Sequence, residues 1–170
     1  MHGCWKIATA VPLAALLASS AEASGPKVAV FNFELVDTSL EGATYGPRPD
    51  QQERLARAGN QLRDRLAKSG RVEVVDIAAV AKQAEAADLR TCDGCDAKFA
   101  RDLGADYSIV VWVQKVSNLI LNMNIAVRDA RSGRIVAVKS VDMRGNTDET
   151  WSRALDWLVR YDLLGPRGIF

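Results

Sequence analysis

Cys92-Asp93-Gly94-Cys95, taken together with the first 23 residues, narrows most what this chain can become. Lys6 leads into an apolar run from Ile7 to Ala18, and Ala21-Glu22-Ala23 places small residues where a signal peptidase reads. A run of about a dozen apolar residues is too short to cross a bilayer, and a basic start with an A-x-A end is the pattern of a secretory signal. The plainer alternative, a buried amino-terminal helix, is weakened by Val11-Pro12 inside it and Ser19-Ser20 after it. Cys4 precedes the apolar run, so it is not placed as a lipid acceptor. The expectation is export to the periplasm with cleavage near Ala23. Residues 24–170 then form one domain with no integral membrane segment.

Removal of that segment takes Cys4 and the single histidine, His2, with it. A close cysteine pair then remains in an oxidising compartment. The expected state is a Cys92–Cys95 disulfide, with Gly94 easing the tight loop. A redox-active pair is the rival, because a C-x-x-C thiol at a helix start can have a lowered pKa. Against it, the pair follows an alanine-rich stretch and Leu89-Arg90-Thr91 instead of a strand, and Pro166 is the sole proline downstream.

The missing histidine removes Ser-His-Asp and Cys-His catalysis and histidine-ligated metal or haem. Zinc at the cysteines would need carboxylates for every other ligand, so no metal is expected. Asp88, Asp93, Asp96, Asp102 and Asp106 crowd one region, but their spacing suits caps and a solvated helix face better than a glycosidase pair. No G-x-x-x-x-G-K-[ST] or G-x-G-x-x-G pattern is present to cradle phosphate. The reading is therefore not an enzyme, and no cofactor is expected.

Lys and Arg number 22 against 21 Asp and Glu, a net charge of +1. The signal segment carries one of each, Lys6 and Glu22, so the balance does not change on its removal. With no run of like charge, nucleic-acid binding by phosphate neutralisation is not expected.

The periodicities switch in order along the chain. Lys27 to Phe33 is a β-branched and aromatic run that reads as a buried strand. Residues 34–49 hold Gly42, Gly46, Pro47 and Pro49 and read as a long loop. Asp50 with Glu53 is a capping-box pattern. Behind it Leu55, Ala58, Gly59, Leu62 and Leu66 form one helical stripe, ended by Gly70. Arg71 to Val75 reads as a strand, Asp76 as the cap of a helix over 77–87, and Asp96 to Leu103 as a short helix.

Ile109 to Val113 is apolar on both faces, as in a covered central strand. Val116-Ser117-Asn118 reads as a turn. Leu119, Leu121, Met123, Ile125 and Val127 alternate with polar residues, so that strand is half-buried. Asp129 to Arg134 suits a hairpin turn, and Ile135 to Arg144 another strand. Asn146 and Glu149 form a second capping-box pattern before Trp151, Ala154, Leu155 and Leu158. The order is β-α-β-α-(short α)-β-β-β-α. That predicts one α/β domain: a mixed sheet of about five strands with helices packed on it.

Three stretches carry a resemblance. Val28-Ala29-Val30-Phe31-Asn32-Phe33, Val72-Glu73-Val74-Val75-Asp76 and Leu103-Gly104-Ala105-Asp106-Tyr107 resemble a group of exported bacterial domains. The group includes the amino-terminal domain of TolB and the periplasmic part of the curli secretion channel. More closely, the stretches 104–107, 112–122 and 144–151 resemble an uncharacterised proteobacterial family of exported proteins, catalogued as a domain of unknown function. The likeness implies a fold and, by analogy with the wider group, binding to other proteins at the cell envelope.

Asn122, Asn124 and Arg128 fall on the polar face of their strand, with Gln114, Ser117 and Asn118 near in sequence. Asparagine is poor in strands, so two on alternate positions ask for a reason: plain solvent exposure or a polar recognition patch. Trp112 and Trp151 read as core. Trp157 lies off the helix stripe and reads as an exposed anchor, and the 34–49 loop is a further contact region. The reading is a non-enzymatic periplasmic accessory protein that acts through an envelope protein partner. A thiol-disulfide protein using Cys92 and Cys95 is the rival, and a small-ligand binder the third reading.

Overall fold

Tyr107–Ser117 is the hub strand, and its two-sided apolarity is why. Its odd-numbered residues Ile109, Val111 and Val113 enter one apolar cluster, while Val110 enters another on the opposite face. A computed structural model describes residues 25–166 and 168–170. The expected signal segment and its cleavage point lie outside the described residues.

The elements run β1 (Lys27–Val30), β2 (Glu34–Asp37), α1 (Leu40–Tyr45), α2 (Pro49–Lys68), β3 (Glu73–Val74), α3 (Ala81–Ala86), α4 (Cys95–Asp102), β4 (Tyr107–Ser117), β5 (Ile120–Asp129), β6 (Ile135–Met143) and α5 (Asp148–Trp157). A π-helical segment, Leu158–Leu163, continues α5. The sheet order is β3-β1-β4-β5-β6, with β2 also paired to β4. β1 pairs in parallel with β3 and β4, and β2 in parallel with β4; the β4–β5 and β5–β6 pairs are antiparallel. This is a single mixed α/β domain, as the periodicities predict.

One face of the sheet is covered along its length. The α2 stripe Leu55, Ala58, Leu62 and Leu66 meets Trp151, Ala154, Leu155 and Leu158 over the sheet residues Val28, Val111, Met123 and Ile125. Fully burying each of the three leucines contributes about 1.5–3 kcal/mol, and Leu62→Ala would cost about 3 kcal/mol through the cavity it leaves. The other face is covered over only part of its extent, where Ile77 ahead of α3, Ala84 of α3 and Ala100 of α4 pack on Ala29, Phe31 and Val110.

Several local expectations are corrected. Residues 34–49 are not a loop throughout: Glu34–Asp37 pairs with Trp112–Lys115, and Ser39 caps α1 through its hydroxyl, which accepts from Gly42 N at 3.1 Å. The expected strand 27–33 breaks after Val30, and β2 resumes along the same neighbour. α2 begins at Pro49 with Arg48 as its cap residue, so Asp50 is a first-turn acid and takes an Arg48 Nε hydrogen bond at 3.0 Å. Proline at the first position explains the shift, since its missing N–H costs nothing there.

The second capping box sits one residue later than expected, on Thr147 and Thr150. Asn146 is instead committed to Trp151, whose Nε1 donates to its Oδ1 at 3.0 Å. The alanine-rich helix is shorter than 77–87, although Asp76 Oδ1 does accept from Ala78 N at 2.9 Å.

Candidate functional site

Past Val110 the second face of the sheet carries no helix among the described residues. In-register neighbours put Glu34 beside Trp112 and Val36 beside Gln114; Trp112 lies opposite Asn124, and Gln114 opposite Asn122. Across the next pair Asn122 lies opposite Asp142, Asn124 opposite Ser140, and Ala126 opposite Val138. Side chains on a strand alternate between faces, so these residues share one surface.

That surface is ordered by its own amides. Asn122 Nδ2 donates to Asp142 Oδ1 at 2.7 Å, and Ser140 Oγ lies 2.8 Å from Asn122 Oδ1 and 3.0 Å from Asn124 Oδ1. Trp112 is half-buried and belongs to neither apolar cluster, which corrects its expected place in the core. Val138 is 55% exposed. At the β2 border Glu34 faces Arg90 at 3.8 Å. Burial, then the nearby Asp88 charge, pushes the Glu34 carboxyl above its ordinary range, and Arg90 offsets part of this.

The predicted patch residues separate into two groups. Gln114, Asn122 and Asn124 come together on the open face; Asn118, Arg128 and Trp157 do not join them. Asn118 sits in the β4–β5 turn, where its Nδ2 donates to Glu41 Oε2 at 3.2 Å and its Oδ1 accepts from Asn146 at 3.1 Å. Glu41 Oε2 also accepts from Lys115 Nζ at 2.7 Å, and Asp37 Oδ2 from the same Nζ at 3.0 Å.

Lys115 is fully buried. Burial pulls its ammonium down, but Glu41 and Asp37 outweigh that and raise it above the ordinary value. Asp37 shows the converse: burial pushes up, and bonds from Ser39 and Lys115 hold the carboxyl below its usual value. The triad was not legible because Asp37 and Glu41 fall in a stretch whose glycines and prolines read as loop.

Arg128 is occupied at the other end of β5. Its Nε lies 3.2 Å from Asp96 Oδ2, and its Nη1 donates to Gly133 O at 2.7 Å. Asp96 is buried in the first turn of α4 and also accepts from Ser108 Oγ. Immediately before it, Cys92 and Cys95 are joined with Cα atoms 5.7 Å apart, and both pack against the α3–α4 apolar cluster. Gly94 adopts φ 99° there, a conformation that favours glycine. The cysteine pair and the Asp96 ion pair thus tie one loop to the sheet.

Trp157 is 53% exposed and lines a cleft with Val141 and Met143, its ring tilted 41° to that of Tyr161 with centroids 4.4 Å apart. The π-helical turn starts directly after it. Among the described residues no group of three His, Cys, Asp or Glu is arranged to hold a metal ion, and no helix is long and apolar enough to cross a membrane.

A model of the family DUF3280, described as a protein of unknown function (DUF2380), matches residues 26–163. The LpoB C-terminal domain from Escherichia coli is similar in fold: TM-score 0.51 at 16% identity, covering 74% of this chain and 87% of that one. Lipoprotein GNA1162 from Neisseria meningitidis matches with TM-score 0.49 at 16% identity, over 80% of this chain and 98% of that one. TolB from Acinetobacter baumannii matches with TM-score 0.43 at 10% identity, over 79% of this chain and 27% of that one. No curated protein matches the chain in sequence.

Proposed function

The chain belongs to this family of proteins of unknown function, and from that premise we propose that it is a non-enzymatic accessory protein of the cell envelope. It acts by binding another protein through the open half of its sheet. Residues 1–23 direct export to the periplasm and are removed there. The observation that carries the reading is the helix-free surface around Trp112, Gln114, Asn122, Asn124, Val138 and Ser140. A half-buried tryptophan outside both cores, beside fixed amide donors and acceptors, is the composition of an interface centre more than of a plain solvated face.

The chemistry of the rest agrees. The described residues contain no histidine, and the buried ionisable groups Lys115 and Asp96 are spent on internal partners instead of facing a cleft. A tie across four residues that packs on a core suits a structural role for Cys92–Cys95, so the redox reading gains no support from its surroundings. Capture of partners from the native envelope by the wild-type chain and by Trp112→Ala tests the proposal. Loss of a specific partner in the variant is the expected outcome; absence of any specific partner sinks it.

A further inference from the structure

The open sheet face ends at β6, and the same strand borders a cleft on the other side. β6 is the last strand of the sheet and pairs only with β5 among the described residues, so alternate N–H and C=O groups along its free edge lack strand partners. Natural edge strands are usually protected by charge, proline or a covering element. Here Ile135-Val136-Ala137-Val138 is a continuous apolar run with Ile135 at 52% and Val136 at 44% exposure. Apolar over this first half and charged only at Lys139 and Asp142 beyond it, the edge is a template for strand addition.

Beside the C-terminal end of β6 lies a cleft of about 340 Å³, walled by Val141 and Met143 of β6 and by Thr150, Ala154 and Trp157 of α5. The three helix residues are spaced at i, i+4 and i+7, one stripe facing the strand. Its lining carries two cations, Arg144 and Arg153, against one acid, Asp142. Arg144, at the end of β6, makes no ion pair among the described residues, and Arg153 reaches only Glu149, at 3.7 Å along its own helix. Asp142 is the acid at the rim, and its carboxylate is engaged by Asn122 on the open face.

We infer that this cleft receives an extended segment of a partner protein as an added strand on β6, with a carboxylate of that segment held by Arg144 and Arg153. The inference rests on the partner-binding role proposed above and names the chemistry of the partner. A second copy of this chain fits less well. Symmetric antiparallel pairing about the midpoint of β6 would set Lys139 against Lys139, like charges directly opposite that the solvent-screened pair with Asp162 at 3.6 Å offsets only in part.

Panning a random linear peptide display library against the full chain tests this. Enriched peptides should alternate apolar residues and carry Asp or Glu. Their binding should fall about tenfold in Arg144→Glu/Arg153→Glu, the loss expected for a charge-assisted hydrogen bond. Arg144→Gln/Arg153→Gln should show the same direction with the fold undisturbed. The bound peptide should slow amide exchange along 135–143.

Peptides that bind the double variants equally, protection elsewhere in the chain, or no enrichment at all would each overturn it. So would β6 protection that appears without peptide and grows with protein concentration, which assigns the edge to a second copy. Envelope partners retained by the arginine variants but lost with Trp112→Ala would remove this inference and leave the proposed function standing.

Discussion

Lys115 Nζ lies 2.7 Å from Glu41 Oε2 although 74 residues separate them, and this contact locks the short helix α1 against the far end of β4. Asp37 completes the triad and Asn118 extends it to Asn146, so a stretch that reads as loop is fixed by charge. Lys115→Met would leave Asp37 without a cation and Glu41 with Arg48 alone, at 2.8 Å. The expected cost is about 3 kcal/mol, the usual scale for breaking a buried pair on one side, read as a lowered urea midpoint.

The pH dependence of that cost has a defined sign. Asp37 is held below its ordinary 3.8, so its contribution is present above that pH and fades as the pH falls through the lowered value. Lys115 is held above its ordinary 10.5, so its contribution is complete below that pH and is lost as the pH rises through the raised value. The stability difference between wild type and Lys115→Met should therefore be flat from about pH 5 to 9 and shrink on both sides. Urea melts across pH check it; a difference that grows in acid would contradict the triad.

Arg128 should behave as a structural residue. Its removal leaves Asp96 buried with only Ser108 donating to it, so Arg128→Leu should cost about 3 kcal/mol. Partner capture at a temperature where the variant is folded should be unchanged. A stable variant that loses its partner would instead return Arg128 to the recognition surface.

The cysteine pair gives a separate test. Closing so short a loop stabilises by about 2 kcal/mol in the chain-entropy account, so Cys92→Ser/Cys95→Ser should melt about 4–8 °C lower. Partner capture at 25 °C should survive. Loss of function with unchanged melting would favour the thiol-disulfide reading.

Much of the fold is legible in the sequence because its signals are local. The α2 stripe from Leu55 to Leu66, the two-sided apolarity of Ile109–Val113 and the alternation from Leu121 to Val127 each specify type and burial without help from distant residues. What escapes is set by pairing across the fold. β2 is four half-buried residues whose strand state depends on β4, and Trp112 reads as core because the sequence does not show where helical cover stops. Of the expected patch, Gln114, Asn122 and Asn124 share a surface through strand register. Asn118 and Arg128 were near them in sequence but are claimed by Glu41 and Asp96, partners that no spacing rule reveals.

The open face of the sheet is the central claim, and capture from the native envelope measures it most directly. Wild type, Trp112→Ala and Asn124→Asp would each be used as bait after thermal melts show that the variants stay folded. The expected result is one specific protein retained by wild type and reduced at least about thirtyfold by Trp112→Ala, the scale of an interface hot spot. Equal recovery by wild type and both folded variants would contradict it.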